Sequence, residues 1–133
     1  MVDDYLKQWL QKAMNDIKVM HNERNMAEEN LVPEAICFHA QQAVEKFLKA
    51  FLVNHKIEFG KTHNLEMLLN QCRNQDQDFS GLSVGKLSEY AVEIRYPDEV
   101  FIPSIAEVDQ SIEIAEKIKQ FIFKKLDISD KEL

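Results

Sequence analysis

The chain has 133 residues and a formal net charge of −7 at pH 7; 45% of the residues are hydrophobic and 29% charged. That suits one soluble domain, long enough to bury roughly two-thirds of its unfolded surface without disulfides or metal. The acidic balance argues against non-specific wrapping of duplex nucleic acid, which needs a basic field, though a local basic site stays open.

Only three glycines and three prolines are present, which favours long regular elements and an all-helical chain. In residues 4–22, Leu6, Trp9, Leu10, Ala13, Ile17 and Met20 recur at helical spacing, with Asp3 and Asp4 at the positive end. Residues 23–32 lose that pattern in part and either extend the helix or form a connection. Pro33 suits the first turn of a second helix running to about His55. Its apolar arc (Ile36, Ala40, Ala43, Val44, Phe47, Leu48, Phe51) is broad enough for a central helix. Phe38, Leu52 and Val53 interrupt the remaining polar arc, which points to a second packing neighbour or a dimer face.

Thr62 is the expected cap of a third helix whose buried stripe is Leu65, Leu68, Leu69 and Cys72. Residues 73–83 read as a polar loop. Val84, Leu87, Ala91 and Ile94 define a fourth helix that Pro97 limits. Ser104 caps the last helix, with Ile105, Val108, Ile112, Ala115, Ile118 and Ile122 facing inward. The spacing thus predicts one all-α, mostly antiparallel helical bundle over residues 1–126 and a charged, frayed tail over 127–133. Cys37 and Cys72 read as small core residues. Asp3, Asp4 and the amphipathic start do not resemble a secretory leader, and no apolar run is long enough for a membrane span. The expected compartment is the cytoplasm.

The chain contains no phosphate-binding glycine loop, no nucleophile elbow and no paired metal-ligating histidines on a helix. No metal or cofactor is expected, and His63 with Glu66 offers only two ligands where a site needs more. His39, Gln42, Lys46 and Lys49 share a narrow arc of the second helix. They suit phosphate or base edges, or form a solvated face in which Glu45 and Lys49 pair one turn apart. Arg95 either answers the negative end of a helix dipole or binds phosphate, with Tyr96 stacking on a base. His63 opens a helix, where it suits anion binding or general acid/base work.

Three segments in order carry a resemblance: Cys37-Phe38-His39-Ala40-Gln41-Gln42-Ala43 with Glu45-Lys46 and Leu48-Lys49, then Lys61-Thr62-His63 with Leu65, then Arg95-Tyr96-Pro97-Asp98. Together they resemble the HEPN family, the higher-eukaryote and prokaryote nucleotide-binding domain, over most of the chain. The resemblance implies an up-and-down bundle of about four long helices plus a short one, frequent homodimers, and a minimal nucleotidyltransferase (MNT) as antitoxin partner. Many such proteins are metal-independent ribonucleases that place a histidine after an arginine with four to six residues between them. Arg95 matches the arginine by position, but residues 96–102 hold no histidine, which leaves the expected general acid/base missing. The resulting expectation is a nucleotide- or RNA-binding, toxin-like component of a HEPN/MNT pair, with His39, Gln42, Lys46, His63, Arg95 and Tyr96 as binding residues and no catalytic residue assigned. A metal-independent ribonuclease toxin and a ligand-free interaction dimer remain the alternatives.

Overall fold

The computed structural model describes residues 3–91 and 102–133, and among them the chain is all-helical. The α-helices are α1 (Asp4–Arg24), α2 (Pro33–Asn54), α3 (Leu65–Gln75) and α4 (Ile105–Leu126). Local chemistry explains most boundaries. Asp3 Oδ1 accepts the Leu6 N–H at 2.8 Å and starts α1. Pro33 occupies the first turn of α2. Ser104 and Glu107 form a reciprocal capping box at the start of α4.

Helix α2 is central. Trp9 lies beside Lys49, and Asp16 beside His39 and Lys46, so α1 crosses α2 antiparallel. Cys37 meets Ser111 and Phe47 meets Phe123, so α4 runs the same way as α2. His21 with Glu116 and Arg24 with Asp109 join α1 to α4. The shared core holds Leu10, Met20, Ile36, Phe47, Leu48 and Ile118, each almost fully buried.

Five local expectations need correction. The cap of α3 is Asn64, whose Oδ1 accepts the Met67 N–H at 3.0 Å; Thr62 accepts the Asn64 N–H and sets the turn one step earlier. Residues 73–83 are not a plain loop: α3 continues to Gln75, and a 3-10 turn follows over Gln77–Gly81. Phe79 anchors that turn by inserting between Phe51 and Phe121, at ring separations of 4.5 and 4.8 Å. The described part of the expected fourth helix is a 3-10 turn, Leu87–Tyr90, which still buries Val84 and Leu87; Ile94 lies outside the described residues. Gly85 precedes it with φ 53°, and a Cβ there would meet Ile114 Cδ1 at 3.0 Å. Ile105 is exposed, because it sits in the first turn of α4 beyond the core.

The tail does not fray either. Gln11 Nε2 donates to the Leu133 carbonyl at 3.0 Å, Lys119 pairs with Asp130 at 3.6 Å, and Ile128 and Leu133 pack on the core. Among the described residues no helix is long and apolar enough to cross a membrane.

Helix α2 ends in a double hydrogen bond: Lys56 N–H to the Val53 carbonyl and Ile57 N–H to the Leu52 carbonyl. This arrangement requires left-handed backbone at Lys56, where φ is 58°. Glycine adopts that conformation without the Cβ clash that lysine suffers. Lys56→Gly is therefore expected to stabilise the fold by about 0.5–1 kcal/mol, seen as a raised urea midpoint with an unchanged slope.

Candidate functional site

Because α1, α3 and α4 all pack against it, α2 buries polar as well as apolar side chains: Gln41, Glu45 and Lys49 are at most 5% exposed. A buried polar group without a partner costs about 1–3 kcal/mol, so each needs one inside the protein. Two clusters supply them.

The first joins α1 to α2. Asp16, nearly buried, accepts from His39 Nδ1 at 2.9 Å and from Lys46 Nζ at 2.5 Å. A carboxylate only accepts, so the proton on this face of His39 is on Nδ1. Both donors stay partly open to solvent, His39 at 27% and Lys46 at 22% of their side-chain surface.

The second cluster centres on Glu45. Its Oε2 accepts from Lys49 Nζ at 3.0 Å. Its Oε1 accepts from His63 Nδ1 at 2.9 Å and Gln41 Nε2 at 3.2 Å. Gln42 Nε2 donates to Gln41 Oε1 at 2.7 Å and extends the chain of bonds toward Lys46 on the next turn. Lys49 is covered by two rings, with Nζ 5.7 Å from the Trp9 centroid and 5.4 Å from that of Phe59. Burial pushes the Glu45 carboxyl up, but bonds from Lys49 and His63, attraction to Lys49 and the Gln41 bond outweigh it and hold the carboxyl below its ordinary value. The solvated reading of the Glu45–Lys49 pair is thus overturned, because Trp9 and Phe59 cover it.

His63 differs from the others. Its Nδ1 is fixed by a buried carboxylate while 69% of its side chain is exposed. With Nδ1–H committed to Glu45, the second nitrogen, Nε2, accepts when the ring is neutral and donates when it is protonated. No partner occupies Nε2 among the described residues.

The structure therefore brings His39 and Lys46 together on Asp16, and links Gln42 to His63 through Gln41 and Glu45. Arg95 and Tyr96 lie outside the described residues. Asp16, Gln41 and Glu45 organise the site; Gln41 and Glu45 stood in the segment that carries the resemblance but not among the expected binding residues, and Asp16 was not singled out at all. For Asp16 the available signal was its place between Ala13, Ile17 and Met20, on the buried side of α1. Glu66 accepts from Ser88 Oγ at 2.7 Å, while His63 Nδ1 is held by Glu45. No group of three metal-ligating side chains occurs among the described residues.

Comparison with known proteins gives one result. The family model described as HEPN domain matches residues 6–126, most of the chain. No curated protein and no solved structure matches it.

Two outcomes follow from this geometry. Asp16→Asn keeps the shape and removes the charge that Lys46 and His39 share; it is expected to cost about 1–3 kcal/mol in denaturant unfolding. Glu45 has a lowered folded-state pKa, so its contribution is present above the ordinary carboxylate value of about 4.3 and is lost as pH falls through the lower folded value. The stability gap between the native protein and Glu45→Gln, read from urea midpoints, should therefore be widest near neutral pH and narrow on acidification.

Proposed function

The chain belongs to the HEPN domain family, which ties it to nucleotide- or RNA-related function, and from that premise we propose that it binds a nucleotide or an RNA end through the polar arc of α2. The observation that carries this reading is His63, an exposed imidazole held in one orientation by the buried Glu45 carboxylate. A fixed ring loses little freedom on binding, so its free nitrogen is pre-organised for a phosphate oxygen or a sugar hydroxyl. On the same helix Lys46 and His39 share the Asp16 carboxylate. A phosphate bound there would compete with Asp16 for these donors, so selectivity matters more here than bulk charge, in keeping with a net charge of −7. In this reading Gln42 supplies a hydrogen bond, Arg95 a bidentate contact to phosphate and Tyr96 a stacking face.

The same reading makes the protein the toxin-like partner of a minimal nucleotidyltransferase and a homodimer in solution. Leu52 is fully buried within its own chain and contributes nothing to a dimer face, whereas Phe38 is only half-buried beside His39. A second reading, a metal-independent ribonuclease, is favoured by one observation: a histidine backed by a carboxylate has the composition of a general acid/base pair.

One experiment separates these readings. A fluorescent single-stranded RNA is titrated with protein in chelator-containing buffer, and its length is followed in parallel. Binding that leaves the RNA intact, weakened about tenfold by His63→Ala and by Arg95→Ala, is expected. RNA shortened by the native protein and spared by Arg95→Ala would establish the enzyme instead. The absence of both binding and cleavage, with a stable complex formed on co-expression with a nucleotidyltransferase, would leave an interaction module.

A further inference from the structure

A second feature lies beside the polar arc. The start of α1, the end of α2 and the strap 55–60 enclose an open groove of about 560 Å³, within the size range of small-ligand sites. Its apolar lining is Tyr5, Val53, Ile57 and Phe59. Tyr5 is 59% exposed, and Tyr5, Trp9 and Phe59 form an edge-to-face series with ring separations of 6.3 and 5.8 Å. Ring faces at the mouth of a groove, continued by apolar side chains, suit a flat aromatic ligand.

The polar lining narrows the choice. Asp3 and Glu58 contribute carboxylates and Lys56 a single ammonium, so the groove carries more negative than positive charge. Asp3 uses Oδ1 to cap α1, while its Oδ2 and the Glu58 carboxylate have no partner among the described residues. The Asn54 side-chain amide adds a neutral donor and acceptor at the same groove. Asp3 and Asp4 already answer the positive end of α1, so a phosphate gains little there. Carboxylates accept hydrogen bonds and repel anions. The complementary ligand is an uncharged ring that donates through an exocyclic amino group.

We propose that this groove is a nucleobase site that takes an amino-bearing base such as adenine, stacked on Tyr5 and Phe59 and donating to Asp3 or Glu58. It is distinct from the contact at His63. The choice of a nucleobase over other amino-bearing rings rests on the nucleotide reading above. The two surfaces are neighbours, because Phe59 both lines the groove and covers Lys49, the partner of Glu45.

The chain has a single tryptophan, Trp9, and it touches both groove rings, so its emission reports directly on occupancy. Adenosine, uridine and adenosine monophosphate are titrated separately into the full chain. Adenosine is expected to change the emission saturably and to bind at least about fivefold more tightly than uridine, which lacks the amino group. The monophosphate should bind no more tightly than adenosine. Tyr5→Ala should weaken adenosine about fivefold or more, whereas Tyr5→Phe retains the ring and the affinity. Asp3→Asn combined with Glu58→Ala keeps the α1 cap acceptor, removes the free carboxylate acceptors and should erase the preference over uridine.

A linear response to adenosine, equal affinity for uridine, much tighter binding of the monophosphate, or full affinity in Tyr5→Ala would each overturn the proposal. RNA binding that still depends on His63 would in those cases keep the nucleotide reading intact. Saturable adenosine binding in a chain that fails to bind RNA would uphold the groove and sink the α2 reading.

Discussion

A helix packed against neighbours on several sides cannot leave its polar groups to water, and this constraint shapes everything around α2. Asp16 and Glu45 are the two carboxylates that satisfy it, one from the neighbouring helix and one from α2 itself. Between them they engage His39, Lys46, Lys49 and His63. Replacing such a set by apolar residues is often neutral or stabilising, so fold stability alone does not require it. What the set supplies is orientation: each of these basic side chains is held at a defined place.

The strap between α2 and α3 follows from the same chemistry. It leaves α2 through left-handed backbone at Lys56, lays Phe59 over Lys49, turns again at Gly60 with φ 69°, and returns His63 to Glu45. Ring coverage and hydrogen bonding act on opposite ends of one buried ion pair. The loop is therefore positioned by the helix interior, although its own residues are largely exposed. This is how a connecting segment comes to present an imidazole with little conformational freedom.

How much of this could be read from the sequence depends on the distance over which each signal acts. Helices α1, α2 and α4 were legible because Asp3, Pro33 and Ser104 mark their starts and apolar residues repeat along them. The segment from Val84 to Ala91 was misread because its apolar spacing also suits a 3-10 turn, and the close approach of Ile114 that makes Gly85 necessary is a tertiary contact. Phe79 was hidden for a similar reason, as one apolar residue in a polar run gives no period. The arc of His39, Gln42 and Lys46 along α2 was visible in their spacing. Their partners were not: Asp16 lies 23 residues from His39 and 30 from Lys46, and Glu45–Lys49 has the same one-turn spacing whether solvated or buried.

The two thiols carry a last consequence. Cys37 and Cys72 are both buried, and burial raises both pKa values, that of Cys72 to about 12. The reactive thiolate is scarce in each, so mild oxidants and alkylating agents find no ready target in the folded chain. A single cysteine introduced on the surface would become the one readily labelled sulfur, which gives a clean handle for placing a spectroscopic reporter anywhere on the bundle.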